Sequence, residues 1–197
     1  GGGEPFFFHP GMSWLRAKRL AAGERDPMLE CAGFRPGDAV IDATAGLGAD
    51  AIVFSFAGGE ATRVTAVESE TALHFIVSRG LREYESGWDE FDRAMRRVET
   101  VRSDHVAFLR TLPDRSADIV YFDPMFREPV LASRAMAPLR LLANRAPLAE
   151  EAVAEALRVA RKSVVLKERA GSDLFKRFGF TVASNPNSTI AYGVIRL

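Results

Sequence analysis

The chain is poor in cysteine and histidine and has no long apolar run. Cys31 is its only cysteine, which excludes an internal disulfide and predicts a protein of the reducing cytoplasm. The three histidines, His9, His74 and His105, show no metal-ligand spacing with the cysteine or with acids, so we expect no metal. No apolar run approaches the ~18–20 residues that a membrane-spanning helix needs, so we expect no membrane partner.

The chain also lacks net charge, since 26 basic residues balance 26 acidic ones. No overall field attracts nucleic acid, and any nucleic-acid surface must therefore be local. Residues 1–3 read as a linker or scar and are set apart from the fold. We divide the remaining sequence into an N-terminal helical arm up to residue 36 and one domain over residues 37–197.

What the sequence does contain is a pattern typical of strand, tight turn and helix over residues 40–51. The apolar start ends at an acid, Asp42, and is followed by Gly46, Gly48 and a segment, Ala49–Ala57, that is predicted to be helical. Glycines let a backbone approach a ligand closely, and the start of a helix offers free N–H groups. The pattern predicts a crevice with a carboxylate, which favours a ligand with hydroxyls, an amine or a positive charge.

A second strand supports this interpretation. Val64–Glu68 ends in an acid that lies 68 − 42 = 26 residues after Asp42, near the spacing at which such an acid binds ribose hydroxyls in open α/β sheets. The three-glycine dinucleotide fingerprint is incomplete, because Thr44 stands at its first position. An ordinary βαβ unit with a helix-capping acid is the alternative.

The turn and a later motif together resemble the class I S-adenosylmethionine-dependent methyltransferases. The similarity rests on residues 42–51, DATAGLGADA, and on residues 123–126, Asp-Pro-Met-Phe. From about Phe7 onward, with Phe-Phe-His-Pro at residues 7–10, the chain is similar to the RsmJ family of bacterial 16S rRNA guanine-N2 methyltransferases. This implies S-adenosyl-L-methionine as cofactor, S-adenosyl-L-homocysteine as its product, and small-subunit rRNA or the 30S subunit as partner.

The resemblance also implies the fold and the cofactor contacts. The fold is a Rossmann-like α/β sheet of seven mostly parallel strands, with a C-terminal antiparallel hairpin and helices on both faces. Polar residues after the third strand border the adenine ring in this class, where Asp104 accepts a hydrogen bond or, equally, caps the helix that follows. The implied cofactor contacts are Asp42, Thr44, Ala45, Gly46, Gly48, Ala49, Asp50, Glu68, Ser69, Ser103, Asp104 and Asp123.

The motif at residues 123–126 carries the implied chemistry. Amino-group methyltransferases of nucleic acids have Asp/Asn-Pro-Pro-aromatic at the end of the fourth strand, and this chain departs from that pattern at Met125. By resemblance, Asp123 accepts a hydrogen bond from the amine, the Pro124 carbonyl accepts a second one, and Phe126 stacks on the extruded base. A plain strand end followed by a turn is the alternative.

Two basic segments are candidates for contacting RNA. The predicted helix Met12–Ala21 has bases along one side beside aromatic residues, and residues 127–169 hold nine basic against five acidic residues. A solvated charged face is the alternative in both places. The candidate substrate contacts are Arg16, Lys18, Arg19, Arg127, Lys167 and Arg169.

The remaining segments complete the predicted sheet. We expect helices from Asp26, over 69–84, 105–112, 148–161 and 172–178, strands over 97–101, 118–122 and 163–166, a terminal pair over 180–183 and 189–196, and loops over 84–95 and 127–145. A reversed terminal strand favours a methyltransferase over a dinucleotide dehydrogenase. An adenine-N6 methyltransferase, a protein methyltransferase and an inactive cofactor-binding RNA module stay open as alternatives, and retention of Asp123 argues against the last.

Overall fold

The computed structural model describes residues 7–124, 148–183 and 188–197. The helices among these residues are α1 (Met12–Ala21), α2 (Pro27–Ala32), α3 (Ala49–Gly58), α4 (Thr71–Glu83), α5 (Asp89–Arg97), α6 (His105–Arg110), α7 (Glu150–Val159) and α8 (Asp173–Phe178), with a 3₁₀ turn over Gly59–Ala61. The strands are β1 (Ala39–Asp42), β2 (Arg63–Glu68), β3 (Val98–Arg102), β4 (Ala117–Phe122), β5 (Ala160–Arg169), β6 (Thr181–Ala183) and β7 (Ile190–Arg196).

The seven strands form one sheet in the order β3-β2-β1-β4-β5-β7-β6. Strands β1 to β5 run parallel, and β7 lies antiparallel between β5 and β6. The predicted fold is confirmed, including its reversed terminal strand. The strand order switches direction between β1 and β4, and in open α/β sheets a ligand binds outside the carboxyl ends of the strands at this point.

Helices cover both faces of the sheet, and each face has its own buried cluster. On one face α1 to α5 pack against the strands, with Phe54 of α3 meeting the Tyr121 ring edge to face at a centroid distance of 5.7 Å. On the other face α6, α7 and α8 pack over β4 and β5, where Phe122 and Leu166 are fully buried. Because β4 is covered on both faces, it is an apolar run with little alternation.

The start of α2 shows how local chemistry fixes an element. The Asp26 carboxylate accepts hydrogen bonds from the backbone N–H groups of Met28 (3.0 Å) and Leu29 (3.3 Å), and Pro27 occupies the first helical position. Gly33 ends the helix in the left-handed conformation, at φ 64°. The helix predicted to start at Asp26 is therefore confirmed, and the cap holds Asp26 where α1 can reach it.

The loop predicted over residues 84–95 is wrong in its second half, because α5 (Asp89–Arg97) forms there. Its apolar residues follow helical spacing, and Phe91 and Met95 are fully buried four residues apart. Acidic residues occupy its first turn and arginines its last, which suits the helix dipole. The high polar content of the segment obscured this spacing.

The strand predicted over 163–166 extends further at both ends and forms β5 (Ala160–Arg169). It pairs with β4 on one side and β7 on the other, so its ends are fixed by neighbours distant in sequence. Lys167 consequently lies within the strand. The loop predicted over 127–145 lies outside the described residues. Within the described part of the chain, no helix is long and apolar enough to cross a membrane.

Candidate active site

The turn after β1 lies open at the carboxyl end of the sheet. Gly46 and Gly48 adopt φ values of 53° and 77°, in the left-handed region that other residues rarely enter. A Cβ built on Gly46 would meet no atom within 4 Å, so the backbone there borders open space. A ligand can therefore lie directly against this turn, beside the first N–H groups of α3.

Glu68 stands opposite the turn, at the end of β2. Its Oε2 accepts a hydrogen bond from the Gly46 N–H (3.1 Å), and its Oε1 accepts one from the Glu70 N–H (2.8 Å). Partial burial raises the pKa of the Glu68 carboxyl above its ordinary value, and these backbone donors oppose that rise. The two bonds fix the Glu68 carboxylate beside the glycine turn.

The residues after β3 adjoin Glu68. The Ser103 N–H donates to the Glu68 carbonyl oxygen (3.1 Å), and Asp104 caps α6 by accepting from the Ala107 N–H (3.0 Å). The predicted capping role of Asp104 is therefore confirmed. Its contact with adenine stays a prediction.

The turn after β1 is tied to the loop after β4. The Asp123 N–H donates to Thr44 Oγ1 at 2.5 Å, and the Thr44 N–H donates to Asp42 Oδ1 at 3.2 Å. Asp42 is 1% exposed, and burial together with nearby Asp50 raises the pKa of its carboxyl well above its ordinary value. Thr44 thereby fixes the backbone of Asp123 against the glycine turn.

Asp50, in the first turn of α3, collects three donors. Its Oδ1 accepts from Arg16 Nη1 (2.5 Å), and its Oδ2 accepts from the Tyr121 hydroxyl (2.7 Å) and from Lys167 Nζ (3.1 Å). Burial alone raises the pKa of Asp50, but the charges of Lys167 and Arg16 outweigh it and hold that pKa below its ordinary value. Asp50 is therefore a buried carboxylate whose negative charge is balanced by the two cations Arg16 and Lys167.

Lys167 joins Asp50 to Asp123. Its ammonium donates to Asp123 Oδ2 at 2.8 Å as well as to Asp50. Burial lowers the pKa of Lys167, and the two carboxylates raise it by more, so the ammonium stays charged. Burial raises the pKa of Asp123 and the charge of Lys167 lowers it, but the negative charge of nearby Asp50 raises it again, and the net pKa of Asp123 is about 6.

Arg16 lies inside the molecule. Its Nε and Nη2 donate to the two carboxylate oxygens of Asp26 (2.8 and 2.9 Å), and its Nη1 reaches Asp50. The prediction that the bases of α1 lie together along one side is wrong for this residue, while Lys18 and Arg19 are exposed. The buried stripe of α1 is formed by Ser13 and Ala17, and Arg16 borders that stripe.

The structure brings most of the predicted cofactor contacts to one edge of the sheet, and it separates the predicted substrate contacts. Lys18, Arg19 and Arg169 are exposed, whereas Arg16 and Lys167 are held by carboxylates. Phe126 and Arg127 lie outside the described residues. Sequence reasoning missed Tyr121, which donates to Asp50, and its hydroxyl in the buried half of β4 was the available signal.

The acidic side chains of this crevice suit a cationic ligand with ribose hydroxyls, because carboxylate oxygens accept hydrogen bonds from both. Acidic side chains lie at the carboxyl ends of three neighbouring strands: Asp42 and Glu68 are the last residues of β1 and β2, and Asp123 follows β4. An open glycine turn and a helix start lie between them. Within residues 7–124, 148–183 and 188–197, no group of three or more His, Cys, Asp or Glu side chains is arranged to hold a metal ion.

The fold and these strand-end carboxylates define a class I methyltransferase that uses S-adenosylmethionine. The family model described as "Putative SAM-dependent methyltransferase" matches residues 8–177, and the chain belongs to this family. The residues present fit its cofactor, since the sulfonium and amino groups are cationic and the ribose offers hydroxyls to Glu68.

Individual relatives agree with this assignment. The chain is 46% identical to the protein YpiP of Bacillus subtilis (strain 168), over 98% of this chain and 76% of that protein. It is 33% identical to the ribosomal RNA small subunit methyltransferase J of Rhodopseudomonas palustris (strain HaA2), over 76% and 68%, which confirms the resemblance to the RsmJ family. A solved SAM-dependent methyltransferase of Neisseria gonorrhoeae superimposes with a TM-score of 0.67 at 22% identity, covering 100% of this chain and 76% of that one, which shows the shared fold.

Proposed function

We propose that this methyltransferase modifies an exocyclic amine of RNA, and specifically guanine N2 of small-subunit rRNA. The observation that carries the proposal is Asp123, a strand-end carboxylate beside the cofactor crevice, followed by Pro124. Its side chain is 28% exposed, so a base entering the crevice can reach it. The similarity to the J methyltransferases of small-subunit rRNA supports the choice of substrate.

A guanine amine is a poor nucleophile, because its lone pair is delocalised into the ring. The site therefore has to hold the nitrogen close to the reacting carbon and in line with the bond that breaks, an effect worth about 7–11 kcal/mol in good cases. When bound, S-adenosylmethionine supplies the methyl group from its sulfonium. Asp123 accepts an N–H hydrogen bond, which localises the lone pair and stabilises the positive charge that develops on nitrogen.

The same carboxylate provides a path for the proton. The methylated nitrogen is strongly acidic while it carries the extra proton, and Asp123 takes that proton and releases it to water. The Pro124 carbonyl is the second acceptor for the amine, and no histidine is required. Phe126, outside the described residues, remains the candidate for stacking on the base.

Glu68 is the residue through which cofactor binding is best tested. Glu68→Gln keeps the size of the side chain and removes its charge, and we expect affinity for S-adenosylmethionine to fall by about 1–3 kcal/mol through the weakened ribose contact. Isothermal calorimetry with the cofactor and its demethylated product measures this. The control Glu60→Gln removes an equal charge from the exposed 3₁₀ turn and should leave affinity unchanged. Equal affinity in Glu68→Gln and wild type would refute the ribose contact of Glu68. Tight binding of NAD without binding of S-adenosylmethionine would refute the cofactor.

The exposed bases of α1 form the proposed RNA contact. Lys18 Nζ lies 4.1 Å from the centroid of the Trp88 ring and 5.0 Å from that of Trp14, and Arg19 is exposed beside it. Basic side chains next to aromatic rings suit unpaired RNA. The positive charges bind phosphates, and the nucleobases stack on the rings.

Replacing Lys18 and Arg19 together by alanine should weaken RNA binding and reduce its salt dependence. The slope of log affinity against log salt should fall by roughly one for each RNA phosphate that the variant no longer neutralises. Filter binding at several salt concentrations measures the slope. Lys176 and Arg177 are a matched control, being an exposed Lys-Arg pair in the last turn of α8. The RNA contact is excluded if the slope falls equally in both double variants or falls in neither.

A labelled-methyl assay tests the proposed substrate class. Purified enzyme is incubated with methyl-labelled S-adenosylmethionine and with 30S subunits, with protein-free 16S rRNA, or with the separated ribosomal proteins. The proposal predicts label in the RNA of at least one of the first two samples. Label confined to ribosomal protein would indicate a protein methyltransferase, and no label in any sample would favour an inactive cofactor-binding module.

A further inference from the structure

Lys167 is an ammonium that two carboxylates share at the reacting end of the crevice. It lies 2.8 Å from Asp123 Oδ2 and 3.1 Å from Asp50 Oδ2, and its side chain is only 17% exposed. The arrangement differs from the surface ion pairs of this protein, such as Arg79 with Glu83, in which both side chains are exposed by more than half. Arg16 is buried between two acids in the same way, but Lys167 differs from it by contacting Asp123, the proposed acceptor.

We propose that Lys167 is a positioning residue for Asp123. It fixes the Asp123 carboxylate and keeps that carboxylate ionised, so that Asp123 can accept a hydrogen bond from the substrate amine. The inference rests on the proposed function, in which Asp123 is the acceptor. It reassigns Lys167 from the predicted contact with RNA, because the two carboxylates that its ammonium contacts would repel a phosphate.

Charge balance around Asp123 supports this assignment. The acids that face it are Asp42 from β1 and Asp50 from α3. Arg16 from α1 binds Asp50 and Asp26, and the hydroxyls of Tyr121 and Tyr192 carry no charge at neutral pH. Among the described residues, Lys167 is thus the cation that contacts Asp123, and its loss would leave three neighbouring carboxyls with one arginine.

The geometry also fixes Lys167 itself. Its strand pairs on both sides, with Leu166 beside Phe122 of β4 and Lys167 beside Tyr192 of β7. Asp123 is held at its backbone by Thr44 and at Oδ2 by the ammonium. Oδ1, which the lysine does not contact, is the oxygen that we assign to the substrate amine. Because Asp123 is held both at its backbone and at Oδ2, it loses little conformational freedom when Oδ1 accepts a hydrogen bond from the amine.

The experiment replaces Lys167 by methionine and measures the pKa of Asp123 directly in the cofactor-free protein. ¹³C NMR titration of the side-chain carboxyl, assigned with Asp123→Asn, gives this value. An opposite charge at this distance lowers a carboxyl pKa by about one to three units, so Lys167→Met should raise the pKa of Asp123 by that amount. Lys167→Arg keeps the positive charge, and in that variant the pKa of Asp123 should return toward its wild-type value. The control Lys162→Met removes a lysine of the same strand that pairs with Asp38 (2.6 Å), and it should leave Asp123 unchanged.

The pH profile of methyl transfer gives a second readout. With a pKa of about 6, Asp123 is mostly ionised at neutral pH, and wild-type kcat should fall as the pH drops through that value. In Lys167→Met the fall should move to higher pH, so that kcat near pH 7 drops roughly tenfold and recovers toward pH 9. The affinity for RNA should not change.

The proposal is overturned if Lys167→Met leaves the pKa of Asp123 and the pH profile as in wild type, or if its main effect is weaker RNA binding at unchanged kcat. Should the methionine variant not fold, Lys167→Gln keeps a donor without the charge and is titrated instead. The NMR measurement uses no RNA, so it decides the role of Lys167 even if the proposed substrate proves wrong. Absence of RNA methylation by the wild-type enzyme would count against the proposed function alone.

Discussion

Replacing Asp123 by asparagine should lower kcat for methyl transfer by about 10² or more, the scale for loss of one transition-state partner. Lys167 donates to Oδ2, so the amide oxygen of the variant turns to the lysine and its NH₂ group faces the substrate. The side-chain NH₂ group of the variant then faces the N–H of the guanine amine, and two donors cannot form a hydrogen bond. The positive charge that develops on the guanine nitrogen is left without a carboxylate to stabilise it. Single-turnover kinetics with saturating cofactor measure the chemical step.

The matched control for this variant is Asp118→Asn, at the opposite end of the same strand. Asp118 pairs with Arg161 at 3.1 Å and accepts from the Ala39 N–H at 2.8 Å, so its replacement perturbs the fold without touching the crevice. Asp123→Asn should still bind the cofactor, so kinetics at saturating cofactor separate the chemical step from binding. An Asp123→Asn enzyme that methylates RNA at the wild-type rate would show that the acceptor lies elsewhere.

Replacing Arg16 by methionine should lower the free energy of unfolding by about 3–5 kcal/mol, the usual cost of removing one partner from a buried ion cluster. The guanidinium is 16% exposed and compensates Asp26 and Asp50, which are 5% and 7% exposed at their side chains. Urea unfolding followed by circular dichroism measures the change. Arg25, which is 84% exposed and pairs with Glu30, is the control, and Arg25→Met should change stability by no more than about 0.5 kcal/mol.

The stability loss in Arg16→Met should depend on pH in a definite direction. The pKa of Asp50 lies below its ordinary value in the folded protein, so its ionisation stabilises the fold above that ordinary pKa, and this contribution is lost as the pH falls. Without Arg16 the pKa of Asp50 rises, and the difference between variant and wild type should shrink between neutral and acid pH. A variant as stable as wild type at neutral pH would show that the cluster contributes nothing to the fold.

The parts of the fold that were predictable from the sequence depend on local chemistry. The strand, glycine turn and helix around Asp42 need only neighbouring residues, as does the cap that starts α2 at Asp26. The reversed β7 follows from the short connection between β6 and β7, which is too short to hold a crossover helix. For α5 the same local signals were present, in Phe91 and Met95, but a polar composition obscured them.

The polar cluster of the site was not predictable in this way, because its contacts join residues far apart in the chain. Arg16 and Asp50 are 34 residues apart, and Lys167 and Asp50 are 117 apart. A basic residue near a motif reads equally well as an RNA contact or as the partner of a buried acid. Only the packing of α1 on α3, and of β5 beside β4, decides between these roles.

The most direct test of the proposed activity identifies the nucleoside that carries the methyl group. Small-subunit rRNA from the labelled-methyl assay is digested to nucleosides and analysed by liquid chromatography and mass spectrometry, with the Asp123→Asn enzyme in parallel. We expect labelled N2-methylguanosine with the wild-type enzyme and a strongly reduced amount with the variant. Label in N6-methyladenosine, or labelled N2-methylguanosine in equal amounts from both enzymes at early times, would contradict the proposed chemistry.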